Sequence, residues 1–269
     1  MDAAAVTSTP IATGAGKSPP VIRVMQRDDL MWALSAGWGD FKAAPRFGLT
    51  LGGFYAVGGW VLVLLLTAAG MHYFVYPLAT GFALIAPFVA AGLYEVSRRR
   101  ESGSDLTWAD VIAAIRLGGL RDLGWMALVT TFAFLIWIDC AVFLYLMFFG
   151  LRLPTLHDLA IEIATTAHGA LFFVVGNLAG AAIALFIFSI TVVSCPLLLD
   201  RDVDFVTAMI TSVRAVKANK AQMLSWALLI GLFFTASLLT GLILLPVTLP
   251  MIGHASWHLY RKVVEPAAV

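Results

Sequence analysis

Long apolar runs separated by short polar segments dominate this chain. Four runs are clear, at about 47–69, 73–94, 123–149 and 168–196, and a fifth covers about 222–260. Because a helix needs about 20 apolar residues to cross the hydrocarbon core of a bilayer, each of the first four runs predicts one transmembrane helix. The fifth run is nearly twice that length, so it predicts either one overlong helix or a hairpin of two.

Breaks inside the fifth run and the charges around all of the runs favour the hairpin. Thr240 and Gly241 can end a helix there, and Pro246 and Pro250 follow where a second helix would start and kink. Cytoplasmic loops of membrane proteins are enriched in Lys and Arg. Six spans with an inner N-terminus leave only Arg152 of the 17 basic residues outside, whereas five spans leave three outside. A single kinked helix is the alternative.

The composition is that of a membrane protein. The chain is 61% hydrophobic and 12% charged, whereas a soluble domain carries about 25% charged residues. Residues 1–22 are rich in small residues, Pro and Gly, and predict a disordered cytoplasmic tail. Residues 23–264 then form a single all-α polytopic membrane domain of six transmembrane helices arranged as three hairpins. The two cysteines show no CxxC or Cys/His spacing, so no disulfide framework or zinc site is implied.

A short amphipathic segment precedes each hairpin, at residues 28–46, 107–122 and 202–220. Each segment predicts a helix with basic residues near its end. Such a helix lies in the membrane interface with its basic end toward anionic headgroups. A helix folded over the inner mouth of the bundle is an equal alternative.

Polar residues at the starts of these segments predict helix caps. Asp28 or Asp29 can cap the first helix, and Thr107 and Asp110 have the spacing of a capping box in the second. The acidic run at 200–204 resembles a metal-binding pattern, but it lacks the Gly turn and the further oxygen ligands of a calcium loop. We therefore interpret this run as the cap of the third helix.

The three units define a candidate threefold repeat over 28–97, 107–201 and 203–262. The ends of the first and third hairpins, PFVAAGLYEVSR and PMIGHASWHLYR, align without gaps and set Glu95 opposite His258. The middle hairpin keeps only the proline. For an identity this thin, duplication and chance are equal alternatives.

Three stretches of the chain resemble a known family. They are GLYEVSRRRESG, PLLLDRDVDFVTAMITSVRAVKAN and GHASWHLYRKVV. They resemble a bacterial integral-membrane family, catalogued as domain-of-unknown-function family 2189, and the similarity extends over about residues 21–264. The resemblance implies a proteobacterial inner-membrane protein with several helices. It implies no activity and no site residues.

Polar residues inside or beside the apolar runs are the candidates for chemistry. Asp139 is the only ionisable side chain well inside a predicted span, and such residues usually face a bundle interior or a cavity. It is either a proton or cation relay or a hydrogen-bonded packing residue, with Asn177 as a partner at a similar depth. Glu95 has helical spacing to Arg98 and Arg99, which favours a solvated ion pair over a site.

His254 and His258 lie four residues apart and share a helix face, so they could hold a metal or haem together. The surrounding Trp257, Tyr260 and Arg261 are typical of an interfacial anchor. We interpret His258 as a residue at the water boundary. We expect His254 to lie deeper, neutral and hydrogen-bonded between helices.

Three classes of function are compatible with these features. The favoured one is a non-enzymatic inner-membrane scaffold or accessory protein without a cofactor. The alternatives are a transporter or channel for a small solute, and a metal- or haem-binding subunit of a redox complex. The expected partners are a lipid bilayer with anionic headgroups and other inner-membrane proteins, with no nucleic acid. Both termini are expected in the cytoplasm.

Overall fold

The structure is a computed structural model. It describes residues 20–71, 74–75, 78, 86–120, 122–152 and 154–266. Most of the predicted tail and ten of the 22 residues of the predicted second span lie outside these ranges. Within them the helices are joined by turns and loops, and the other regular pairing is an isolated antiparallel bridge between Ile22 and Val264, so the all-α fold class is confirmed.

The helices of the described residues follow one another with short connections. They are α1 Asp28–Ala43, α2 Pro45–Ala68, α3 Ala86–Ser102, α4 Trp108–Leu120, α5 Asp122–Phe149, α6 Leu156–Thr165, α7 Ala167–Thr191, α8 Ser194–Asp200, α9 Phe205–Ala218, α10 Lys220–Leu239 and α11 Leu245–Val263.

Four segments are long and apolar enough to cross a membrane: Pro45–Ala68, Gly124–Phe149, Ala167–Asp200 and Lys220–Leu239. They confirm the first, third, fourth and fifth predicted spans. The sixth predicted span forms α11, which carries more polar residues and is not among these segments. The arrangement as three hairpins therefore stays a prediction.

The fifth apolar run forms two helices, and the alternative of one continuous helix is wrong. A turn over 240–244 separates α10 from α11. Gly241 and Leu242 both adopt positive φ values, of 60° and 66°, which end a right-handed helix. Pro246 then lies in the first turn of α11 and Pro250 lies inside it, as the sequence predicts.

All three predicted amphipathic helices form, as α1, α4 and α9, and α1 and α9 each stop one residue short of the next apolar helix. The capping box of α4 is confirmed, because the Thr107 amide donates to Asp110 over 3.0 Å. The cap of α9 is also confirmed, with Asp204 accepting the Thr207 amide. At α1 the N-cap residue is Arg27, so the predicted Asp cap is wrong.

Helix α11 lies at the centre of the packing, between α1, α2 and α3. Small residues let these helices approach it closely. A Cβ atom added to Gly37 would lie 2.5 Å from the Ala255 backbone nitrogen, and one added to Gly52 would lie 2.8 Å from the Pro246 Cα atom. Trp257 on α11 is fully buried in the main core.

The two ends of the described chain meet. The Arg23 amide donates to the Val263 carbonyl over 2.8 Å, and the Glu265 amide donates to the Val21 carbonyl over 3.0 Å. Asn219, between α9 and α10, accepts the Met25 amide over 2.7 Å. Residues 21 and 22, which the sequence assigns to the tail, are therefore paired with the C-terminal segment.

Candidate functional site

A cluster of polar and charged side chains joins the ends of α1, α3 and α11, with the buried Asp40 at its centre. Arg100 Nε donates to Asp40 Oδ1 over 2.8 Å, and His258 Nε2 donates to Asp40 Oδ2 over 2.8 Å. Ser97 also hydrogen-bonds to this carboxylate. Burial alone would raise the pKa of Asp40, but the hydrogen bonds from His258, Arg100 and Ser97 outweigh it and lower the pKa to about 2. We call Asp40, Ser97, Arg100, His254 and His258 the ion-pair cluster.

His254 belongs to the same network through Ser97. Its Nδ1 atom lies 2.9 Å from Ser97 Oγ, and both side chains are fully buried. Because a carboxylate only accepts, the Ser97 hydroxyl donates to Asp40 and its oxygen accepts from His254 Nδ1. His254 Nε2 then carries the lone pair, and it has no hydrogen-bond partner in the described part of the chain. The prediction that His254 is deep and hydrogen-bonded between helices is confirmed.

Glu95 forms a second set of ion pairs on α3. It accepts Arg98 Nε at 2.7 Å and Arg99 Nε at 2.7 Å, so the predicted helical pairing is confirmed. The carboxylate is not solvated, however, because Glu95 is only 2% exposed. The hydrogen bonds to Glu95 raise the pKa of the Arg98 guanidinium. Arg99 also pairs with Asp110 at 2.9 Å, which ties α3 to α4.

Further polar contacts extend this end of the molecule toward α8. Glu101 accepts both the Trp257 indole nitrogen and Arg261 Nε at 3.0 Å. The Tyr260 hydroxyl donates to Asp200 over 2.6 Å. Four helices, α1, α3, α8 and α11, are thus connected by polar groups at one end of the fold.

The Ser, His and Asp residues of the cluster do not form a nucleophilic triad. In such a triad the histidine lies between the serine and the acid. Here Ser97 lies between His254 and Asp40, and its hydroxyl is buried away from any substrate. The arrangement can orient α1, α3 and α11 relative to one another, which is a structural role.

The two histidines are turned to different partners. His258 faces Asp40 and forms an edge-to-face contact with Trp32, with ring centroids 5.6 Å apart, whereas His254 faces Ser97. Among the described residues, no group of three or more His, Cys, Asp or Glu side chains could hold a metal ion.

Asp139 and Asn177 are not brought together. Contacts of Phe149 with His168 and of Trp137 with Gly180 fix how α5 and α7 lie side by side, and they place Asp139 level with Asn177. Asp139 nevertheless lies on the opposite side of α5 from α7, and it is exposed. The Asn177 amide donates to the Phe173 carbonyl of its own helix over 2.8 Å.

Reasoning from sequence missed Asp40, Ser97 and Arg100. Arg100 and His258 lie 60 and 218 residues from Asp40 along the chain, so no local spacing reveals the contacts. The signal in the sequence is local: Asp40 lies three residues after Gly37, so a helix puts both on one face. That this face packs against α11 is shown only by the structure.

The comparison with known proteins agrees with the assignment of this chain to the integral membrane proteins. The profile of a family described as "Predicted integral membrane protein (DUF2189)" matches residues 75–200. Over this range the family resemblance is shown. The range is just under half of the chain, and it includes Glu95, Ser97 and Arg100 but not Asp40, His254 or His258. The motif GHASWHLYRKVV lies beyond it. No curated protein and no solved structure matches the chain.

Proposed function

We propose that this integral membrane protein is a non-enzymatic scaffold or accessory protein of the bacterial inner membrane, with both termini in the cytoplasm. The observation that carries the proposal is the pairing of the two buried carboxylates. Asp40 and Glu95 are buried, and both are engaged by arginine or histidine side chains of the same chain. A substrate or cofactor site needs polar groups that are free to bind, whereas a scaffold needs helices held in fixed positions.

The lipid-facing character of the spans supports the same proposal. Only 22% of the apolar window of α2 is buried, and only 17% of the windows of α5 and α10. A transporter encloses its substrate between several spans near the middle of the bilayer. Spans that expose most of their surface instead offer it to lipid and to other membrane proteins.

Exposed basic residues support contact with anionic headgroups. On α4 the exposed residues Trp108, Ile112 and Arg116 are spaced four apart. On α9 Val206 and Ile210 are exposed with the same spacing, followed by Arg214. An apolar stripe that ends in a basic side chain suits a helix lying in the membrane interface. The exposed basic residues without a carboxylate partner in the described ranges are Arg27, Lys42, Arg46, Arg116, Arg214, Lys217 and Lys220.

Extraction of the tagged protein from its native membrane in polymer nanodiscs tests the function. We expect the same membrane proteins to co-purify in replicate preparations, and a matched extraction of an unrelated six-span protein serves as the control. Solute uptake into proteoliposomes that depends on the purified chain would overturn the proposal. A stoichiometric metal or haem that is lost in His254→Ala would overturn it as well.

A further inference from the structure

Asp139 lies on the side of α5 that faces away from the rest of the fold. Tyr145 and Phe149 contact Phe172 on α7, with ring centroids 6.3 and 4.9 Å apart, and Trp137 is buried on the same face. Asp139 follows Trp137 by two residues, which is about 200° around a helix. Its side chain is exposed and has no partner among the described residues.

An acidic group in this position is costly if nothing covers it. Asp139 is ten residues before Phe149, the last residue of the span, which corresponds to about 15 Å and the middle of the bilayer. In the described spans it is the only Asp, Glu, Lys, Arg or His more than five residues from an end. An ionisable group at this depth normally has a partner inside the membrane. The described residues of the chain supply no such partner, which points to a partner from a second molecule.

The residues around Asp139 form an exposed stripe with the spacing of a coiled coil. Exposed side chains recur at alternating intervals of three and four residues on this side of α5, and this spacing keeps one stripe facing a partner helix. We call them the α5 stripe: Phe132 (64% exposed), Ile136 (45%), Asp139, Phe143 (61%) and Leu146 (45%).

We propose that the α5 stripe pairs with the α5 stripe of a second copy of this chain, in parallel, with Asp139 facing Asp139 of the second copy. A two-fold axis along the membrane normal brings each residue to the same depth as its equivalent. Two facing carboxyl groups can share a proton in a hydrogen bond, which satisfies both. One polar residue in an otherwise apolar stripe fixes the register of the pair.

Self-pairing is favoured over pairing with another of the helices that the structure describes. Asn177 is level with Asp139, but it lies on α7 and already donates to Phe173. A helix from another protein would have to present a hydrogen-bond donor at this depth. In the symmetric pair the protonated Asp139 of one copy donates to Asp139 of the other. The inference concerns self-association, so it does not depend on which protein the proposed scaffold serves.

Disulfide crosslinking in membranes tests the geometry. Leu146→Cys, in a Cys140→Ser background, puts a thiol into the stripe near the Phe149 end of α5. Leu239→Cys in the same background puts a thiol at the corresponding end of α10, where Leu239 is 83% exposed. We expect an oxidant to convert most of the first variant to a covalent dimer and to leave the second monomeric. Equal crosslinking of the two variants, or none in either, would overturn the proposal.

Substitution of Asp139 tests its role in the pair. Energy transfer between labelled copies in vesicles should show Asp139→Leu dimerising about ten-fold more weakly, since polar pairs between membrane helices contribute about 1–2 kcal/mol in model peptides. Asp139→Asn should retain the dimer, because an amide also pairs with itself. Both substitutions are on an exposed site, and unchanged thermal unfolding would show that the fold is intact. Dimerisation that is unchanged in Asp139→Leu would contradict the inference. So would the capture of a different protein in place of the second copy.

Discussion

Asp40 keeps its charge inside the fold because three donors surround it. Its pKa of about 2 is below the value of 3.8 for a free carboxyl, which corresponds to about 2 kcal/mol of stability. A lowered pKa means that this contribution is complete above pH 3.8 and is lost as the pH falls through 2. The ion-pair cluster should therefore stabilise the fold fully at neutral pH and lose this contribution only below pH 3.8.

Asp40→Asn should lower the free energy of unfolding by about 2 kcal/mol at pH 7, because Arg100 and His258 lose their shared carboxylate. The difference from the unmodified protein should disappear as the pH is lowered from 4 to 2. Chemical unfolding in detergent at several pH values measures both effects. Asp105→Asn is the control, because the Asp105 side chain is exposed. Equal stabilities of the two variants at pH 7 would count against the cluster.

Sequence separation decided which site residues could be predicted. Glu95 and its arginines are three and four residues apart, so helical geometry alone reveals the pairing. The depth of Asp139 could also be predicted, since it follows from the length of the apolar run. The side of α5 on which Asp139 lies depends on where α7 packs, and that contact joins segments separated by a loop and by α6.

At the scale of elements, α1 is fixed to α11 by close backbone contact as well as by charge. Gly37 meets the Ala255 backbone, whereas a Cβ atom added to Gly39 would meet nothing within 4 Å. The two glycines lie on the same helix and differ in what faces them. They form a matched pair for measuring this contact.

Gly37→Ala should destabilise the protein by about 1–3 kcal/mol, because the new methyl group must push α1 away from α11. Gly39→Ala should be neutral or stabilising by up to about 1 kcal/mol, since alanine is the better helix former. Thermal or chemical unfolding of the two variants gives the comparison. If Gly37→Ala were as stable as Gly39→Ala, the close packing of α1 on α11 would be wrong.

The exposed basic residues of α4 and α9 lead to a prediction about the lipids that the protein retains. Replacing Arg116 and Arg214 with Gln should lower the fraction of anionic lipid retained in nanodiscs extracted from native membranes, because both guanidinium groups are exposed beside apolar stripes. Arg152→Gln is the control, since Arg152 follows α5 and lies at the opposite end of that helix from α4. Lipid analysis by mass spectrometry measures the fraction. A loss of equal size in the control would show a general effect of charge.

At the scale of the whole molecule, the existence and approximate bounds of four spans could be predicted because long apolar runs carry a strong signal. The break at Gly241 was also recognisable, because glycine tolerates the backbone that ends a helix. The central position of α11 could not be predicted. It depends on Gly37 and Gly52 meeting Ala255 and Pro246, which lie about 200 residues away in sequence.

The bridge between Ile22 and Val264 limits the topology of the whole chain. Two residues that pair must lie on one side of the membrane, so the chain between them crosses an even number of times. Five spans are incompatible with this pairing, whereas four and six both satisfy it. The distribution of basic residues then favours the cytoplasmic side for both ends.

Reporter fusions at residue 1 and after residue 269 should both report the cytoplasm, because the bridge holds the two ends on the same side. A reporter inserted after Gly150, at the far end of α5, should report the opposite side and is the control. Two ends on opposite sides would contradict the bridge and with it the packing of the N-terminal segment on α11. Two periplasmic ends would leave the fold intact and reverse only the proposed orientation, so the fusions test the bridge and the orientation separately.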